Sequence, residues 1–265
     1  MQLEFQEHIL FSKKSLRRTP HNPTAAVSCQ GHFNDTLLAT TCPLMREKLI
    51  GIRSRRMSPF IQLVRLLRAP LHDRLNLISS AFVLLKTSIY YRHVCAHVGR
   101  GSRIYKPLLL SNPRFVTIGE RTLIRPGARI EAIVLDEKSH PAVIIGSNVN
   151  IEQNLHLVCS SRIAIGDNVS IAPNCCLLDT SHPYRDVEDP RKIGDRLNTE
   201  PTPIQIGENT LIGFGVVILP NVSIGKHCVI GANSTVRRDV PDYCVVAGNP
   251  ATIILRYDLE HKIWK

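Results

Sequence analysis

The feature that most constrains this chain is a period of six. From Ile145 the sequence reads IGSNVN, IEQNLH, LVCSSR, and after a short slip it resumes at Ile165 as IGDNVS, IAPNCC, LLDTSH. It returns at Ile206 as IGENTL, IGFGVV, ILPNVS, IGKHCV, IGANST, VRRDVP, and a weaker pass through IGERTL, IRPGAR, IEAIVL starts at Ile118. Nearly every unit opens with Ile, Leu or Val, many continue with Gly, and Asn recurs near the fourth place. A sandwich strand alternates at two and a helix at about 3.6, so neither accounts for a sustained six. Three six-residue strands close one triangular coil of about 18 residues, and identical aliphatic residues from successive coils stack inside the prism. The small residue after the opener lets the chain bend at a corner, and Asn tolerates the positive φ that most residues resist. Neighbouring coils pair as parallel strands about 4.8 Å apart. The pattern predicts an all-β core, a left-handed parallel β-helix of hexapeptide repeats.

Composition agrees with a regular, tightly stacked interior. Aromatic residues make up only 5% of the chain against 43% apolar, so the core must be filled by Ile, Val, Leu and Ala. The cysteines at 29, 42, 95, 159, 175, 176, 228 and 244 form no CxxC pair and no zinc-ligand spacing. They read as small apolar residues in a reduced cytoplasm.

Upstream of the repeats the chain changes character. Residues 1–56 mix Pro20, Pro23 and Pro43 with Thr, Asn and basic residues and keep no apolar period, which reads as disorder or as an extension that is not native, with translation starting at Met57. Residues 57–111 form a basic amphipathic helical segment: Phe60, Val64, Leu67 and Leu71 step by three or four, as do Leu75, Ile78, Phe82 and Leu85, with Pro70 between two short helices. Residues 112–255 are the β-helix and 256–265 a C-terminal tail. Residues 1–107 hold 17 Lys and Arg against 5 Asp and Glu, whereas residues 108–265 hold 16 against 17. The basic helices can dock on the β-helix, on a neighbouring subunit, or on an anionic bilayer through residues 57–106. No aromatic–basic module accompanies the charge, so nucleic acid is not expected as a partner. The start of the chain is too polar for a signal peptide, and Leu75–Tyr91 is too interrupted by polar residues to span a membrane. The expected location is cytoplasmic, with peripheral attachment at the inner membrane surface as an option.

A regular repeat makes its interruptions informative. The longest, PYRDVEDPRKIGDRLNTEPTPIQ at 183–205, leaves the prism immediately after His182. Polar, charged loops of this length on a rigid scaffold are usually functional.

The segment DTSHPYRD, this loop, the run of coils from PIQIGENTLIGFGVV, and the closing AGNPA at Ala247–Ala251 together resemble the hexapeptide acyltransferases. The resemblance covers about residues 145–255 and is strongest to the maltose, galactoside and nodulation-sugar O-acetyltransferases and to related enzymes of surface-polysaccharide assembly. It implies acetyl transfer from acetyl-CoA to a sugar hydroxyl, with His182 as general base, in a homotrimer whose active sites form between subunits. It places Asn154 against the acceptor, Gly213 and Phe214 beside the thioester with a backbone N–H for the oxyanion, and Ala232 along the pantetheine. Arg237 and Arg238 fall near the CoA phosphates, and the Gly248–Pro250 turn near the adenine. The chain departs from the family in carrying Leu211 where Trp is usual and Thr252 where a basic residue is common, which bears on pantetheine packing and phosphate grip respectively. Asp179 either orients His182 or serves a turn. No metal is expected.

Other readings remain open from the residues alone. Serine or xenobiotic acetyltransferases share the fold, although the serine enzymes carry a long helical N-terminal domain. A γ-carbonic-anhydrase-like zinc enzyme needs three His across an interface, and His140, His156, His182 and His227 include no close pair. A non-catalytic β-helix scaffold is the third.

Overall fold

The computed structural model describes residues 70–265. The expectations for residues 1–56, and for the helix before Pro70, lie outside the described residues.

The six-residue period is a three-stranded coil. Among the described residues six coils follow one another. The first is β1 (His97–Val98), β2 (Arg103–Ile104) and β3 (Leu109–Ser111); the second is β4 (Val116–Ile118), β5 (Leu123–Ile124) and β6 (Arg129–Ala132). The third is β7 (Ala142–Ile145), β8 (Asn150–Ile151) and β9 (His156–Cys159), and the fourth is β10 (Arg162–Ile165), β11 (Ser170–Ile171) and β12 (Cys176–Leu178). After the long loop come β13 (Ile204–Ile206), β14 (Leu211–Ile212) and β15 (Val217–Ile218), then β16 (Ser223–Ile224), β17 (Val229–Ile230) and β18 (Thr235–Val236). Each strand pairs in parallel with its counterpart one coil away, so the first, second and third strands of the coils stack into three sheets. The chain is a left-handed parallel β-helix.

The openers sit where the repeat predicts: Ile118, Ile124, Ile145, Ile151, Leu157, Ile165, Ile171, Ile206, Ile212, Ile218, Ile224 and Ile230 are all at most 2% exposed. A second buried row occupies the fifth place of each unit, which the opener pattern does not name. Val149, Leu155, Val169, Cys175, Val216, Val222 and Cys228 fill it. Two of the cysteines are therefore core residues of this row, and burial pushes their thiols up. Where the fifth residue is polar its hydroxyl serves the backbone. The Thr122 hydroxyl donates to the Gly146 carbonyl (2.7 Å) and accepts from the Val149 N–H (3.2 Å); Thr210 does the same with Gly225 (3.0 Å) and Cys228 (3.1 Å).

The corners explain the Asn. Asn148, Asn168 and Asn209 stand at positive φ on the edge between the first and second sheets, and Asn154, Asn174 and Asn233 on the edge between the second and third. Stacked amides tie them: the Asn148 amide donates to Asn168 Oδ1 (2.8 Å) and the Asn154 amide to Asn174 Oδ1 (3.1 Å).

The coils begin at His97, upstream of residue 112, where the sequence pattern becomes visible. Val98 and Ile104 are buried and Leu110 packs against the core, six apart, but the units VGRGSR and IYKPLL lack the corner Asn. Both ends of the prism are covered, as stacked repeats require. At one end α1 (Leu71–Lys86), a π turn (Thr87–Tyr91) and α2 (Arg92–Val94) bring Tyr91 and Cys95 onto Val98 and Ile104. The Thr87 hydroxyl accepts the Ile104 N–H at 3.0 Å. At the other end β19 (Cys244–Gly248) pairs with β17, and the chain folds back through antiparallel β20 (Ala251–Asp258) and β21 (Ile263–Trp264). Residues 256–265 thus join a hairpin rather than trailing away. No helix among the described residues is long and apolar enough to cross a membrane.

Candidate active site

The long loop leaves the prism between β12 and β13, at the edge joining the third sheet to the first. Its root is fixed before the loop begins. Asp179 is fully buried and its carboxylate accepts the N–H groups of Ser160 (2.5 Å), Ser161 (2.9 Å) and Arg162 (2.8 Å), with the Ser161 hydroxyl at 3.0 Å. Asp179 therefore serves the turn of the preceding coil and does not touch His182. The returning strand of the loop closes on the same residue: the Thr202 hydroxyl donates to the Asp179 carbonyl at 2.6 Å. The Asn198 N–H donates to the Ser181 carbonyl at 3.0 Å. Exit and return are thus clamped side by side.

His182 stands exposed just above this clamp. Its Nδ1 lies 2.9 Å from the carbonyl oxygen of Arg196, across the loop. A carbonyl only accepts, so Nδ1 must carry the proton, which leaves the lone pair of a neutral ring on Nε2. An imidazole held in this tautomer presents a base outward. Arg196, which sequence reasoning did not single out, is buried and turns its guanidinium onto loop carbonyls. On the same loop, Arg191 hydrogen-bonds the Asp189 carboxylate and, with Arg196 nearby, holds it well below the usual carboxylate range.

The remaining sequence candidates divide between two edges of the prism. Asn154, Gly213 with Phe214, and Ala232 lie on the edge between the second and third sheets in the third, fifth and sixth coils, and the Gly248–Pro250 turn follows β19 beyond them. His182, Arg237 and Arg238 lie on the edge between the third sheet and the first. In one chain the width of the third sheet separates the two sets. Asn154 is a corner residue of the Asn stack. Gly213 is glycine for a packing reason, since a Cβ there would stand 2.7 Å from the Ala232 nitrogen and the Ile230 oxygen. Its N–H already donates to the Ile230 carbonyl at 2.8 Å, so it is not available to an oxyanion. Phe214 is exposed, and its N–H makes no hydrogen bond among the described residues. Gly231 and Ala247 stack closely (a Cβ on Gly231 would meet the Ala247 Cβ at 2.9 Å), which keeps this edge shallow beside Ala232. Arg237 and Arg238 are exposed and without an ion pair among the described residues. Within one chain, no group of three His, Cys, Asp or Glu among the described residues is arranged to hold a metal ion.

Known proteins share both the repeat and this arrangement of coils. The family described as bacterial transferase hexapeptide (six repeats) matches residues 203–238. The galactoside O-acetyltransferase of Escherichia coli is 38% identical over 153 residues, covering 58% of this chain and 70% of the relative. WbbJ of Escherichia coli, named as a candidate lipopolysaccharide-biosynthesis O-acetyltransferase, is 28% identical over 187 residues, 69% of this chain and 89% of the relative. Among solved structures, AntD, an N-acyltransferase from Bacillus cereus, superposes with a TM-score of 0.50 at 20% identity, over 62% of this chain and 85% of that one, which speaks for the fold alone. Identity to the galactoside enzyme, by contrast, runs through most of a relative's length, and the chain belongs to the hexapeptide-repeat acetyltransferases.

Proposed function

We propose that the protein transfers acetyl from acetyl-CoA to a sugar hydroxyl during the assembly of a surface polysaccharide, with His182 as general base. The observation that carries the reading is the exposed imidazole whose Nδ1 is engaged by the Arg196 carbonyl. Nε2 takes the proton of the acceptor hydroxyl as its oxygen attacks the thioester carbonyl. The tetrahedral oxyanion collapses, the C–S bond breaks, and the CoA thiolate leaves with the proton held on His182. The free N–H of Phe214 supplies a donor for the oxyanion in place of Gly213. The small residues Gly213, Ala232 and Ala247 leave a shallow edge for an extended pantetheine, bordered by the Gly248–Pro250 turn. Arg237 and Arg238 are the free cations for the phosphates.

Because His182 and the pantetheine edge stand on different edges of one prism, the reading requires a homotrimer in which each site takes His182 from one subunit and the groove from its neighbour. The O-acetyltransferase relatives support hydroxyl acceptors, and the WbbJ relative supports the polysaccharide context. The apolar stripe of α1 is read as a subunit contact, with an anionic bilayer as its alternative. Purified protein with acetyl-CoA and a panel of galactosides, oligosaccharides and bacterial polysaccharides tests the proposal. Acceptor-dependent thiol release together with a mass-detected acetylated sugar supports it. Failure to bind acetyl-CoA would sink it and bring the scaffold reading forward.

A further inference from the structure

Arg196 is the only lysine or arginine among the described residues that is buried, at 7% exposed, and it sits in a loop that is otherwise largely open to solvent. Its side chain explains the burial. Nη1 donates to the Asp186 carbonyl (2.7 Å), and Nη2 to the carbonyls of Asp189 (2.7 Å) and Arg191 (2.7 Å). Nε donates to the Arg191 carbonyl (3.0 Å) and faces the Asp189 carboxylate at 3.4 Å. One guanidinium thus gathers three loop carbonyls. The loop's regular structure is a single 3-10 turn, Ile193–Asp195, which ends in an N–H donation from Arg196 to the Ile193 carbonyl (3.1 Å). The same residue offers its own carbonyl to His182 Nδ1.

The two ends of Arg196 therefore do linked work: the side chain folds the loop, and the fold sets where the main-chain oxygen meets the imidazole. We infer that Arg196 is a positioning residue for His182, a clasp that holds the loop so that its carbonyl fixes the ring's orientation and tautomer. This rests on reading His182 as the base. A planar fork meets these carbonyls from three separate nitrogens in fixed directions; a lysine ammonium carries its three donors on one nitrogen and cannot reproduce that spread. The loop's feet are tied independently, through Thr202 to Asp179 and Asn198 to Ser181, so loosening the clasp leaves the β-helix intact.

The test uses the full chain with ¹⁵N-labelled histidine, the His182 ring resonances being assigned by their loss in His182→Ala. Long-range ¹H–¹⁵N spectra of the wild type should show the Nδ1–H tautomer. In Arg196→Ala, and again in Arg196→Lys in case the alanine variant folds poorly, the signature should move toward a mixture of tautomers. Acceptor-dependent thiol release should fall by about 10- to 100-fold in kcat, with KM for acetyl-CoA changed by less than about threefold, as expected when a reacting group is misplaced while substrate binding is kept. A wild-type tautomer signature in both Arg196 variants overturns the clasp, whatever the kinetics. The base reading fails separately, by an active His182→Ala, so the two failures are told apart.

Discussion

At the scale of single residues, the site depends on three that do different things. His182 is the proposed base, Arg196 its proposed clasp, and Asp179 fixes the loop's root through the N–H groups of the preceding coil. Truncating Asp179 leaves the N–H groups of Ser160, Ser161 and Arg162 without acceptors, and each buried unpaired donor costs about 1–3 kcal/mol. Asp179→Ala should therefore lose about 3 kcal/mol or more in denaturant unfolding, and Asp179→Asn, which keeps one acceptor oxygen, less. An alanine variant as stable as the wild type would show that the turn does not need the carboxylate. His182 was legible in the sequence because it stands where the repeat breaks. Arg196 was not: its partners are backbone carbonyls and the ring of a residue 14 positions away, which no spacing encodes. Of the two residues expected to offer an N–H, Gly213 already donates to Ile230, and a spent N–H looks the same in a sequence as a free one.

At the scale of elements, the six-residue period specified the coils well because each opener must enter the prism. It hid the first coil, whose Val98 and Ile104 openers lack the Asn that makes later units conspicuous. The amphipathic reading of α1 found the apolar stripe but not its destination. The π turn that follows it meets the first coil through Thr87 and Tyr91, while Leu71, Leu75, Ile78, Phe82 and Leu85, and Ile89 of the turn, remain between 56% and 68% exposed. Their alternating steps of four and three make a narrow seam of the kind that packs against another helix or a subunit surface. Ile78→Ser combined with Phe82→Ser should weaken assembly, with dissociation appearing at about tenfold higher protein concentration in sedimentation. An unchanged mass, with wild type but not the variant floating on phosphatidylglycerol vesicles, would assign the seam to a membrane instead.

At the scale of the whole molecule, the fold sorts its candidate groups onto separate edges, and a single chain cannot bring His182 to the Gly213–Ala232 edge. The resemblance implied sites formed between subunits, and the separation of His182 from the Gly213–Ala232 edge is what the proposed subunit pairing would bridge. Co-expressing His182→Ala with a groove-blocked Ala232→Trp should restore acceptor-dependent turnover that neither variant shows alone. Mixed assemblies that stay inactive would place both halves of the site in one chain. The base itself is open to the most direct test: the rate of acceptor-dependent thiol release from acetyl-CoA by wild type and His182→Ala, followed from pH 5 to 9. A general base at His182 requires a loss of about 100-fold or more in the variant across that range. A variant that keeps the wild-type rate and profile would mean that His182 is not the base.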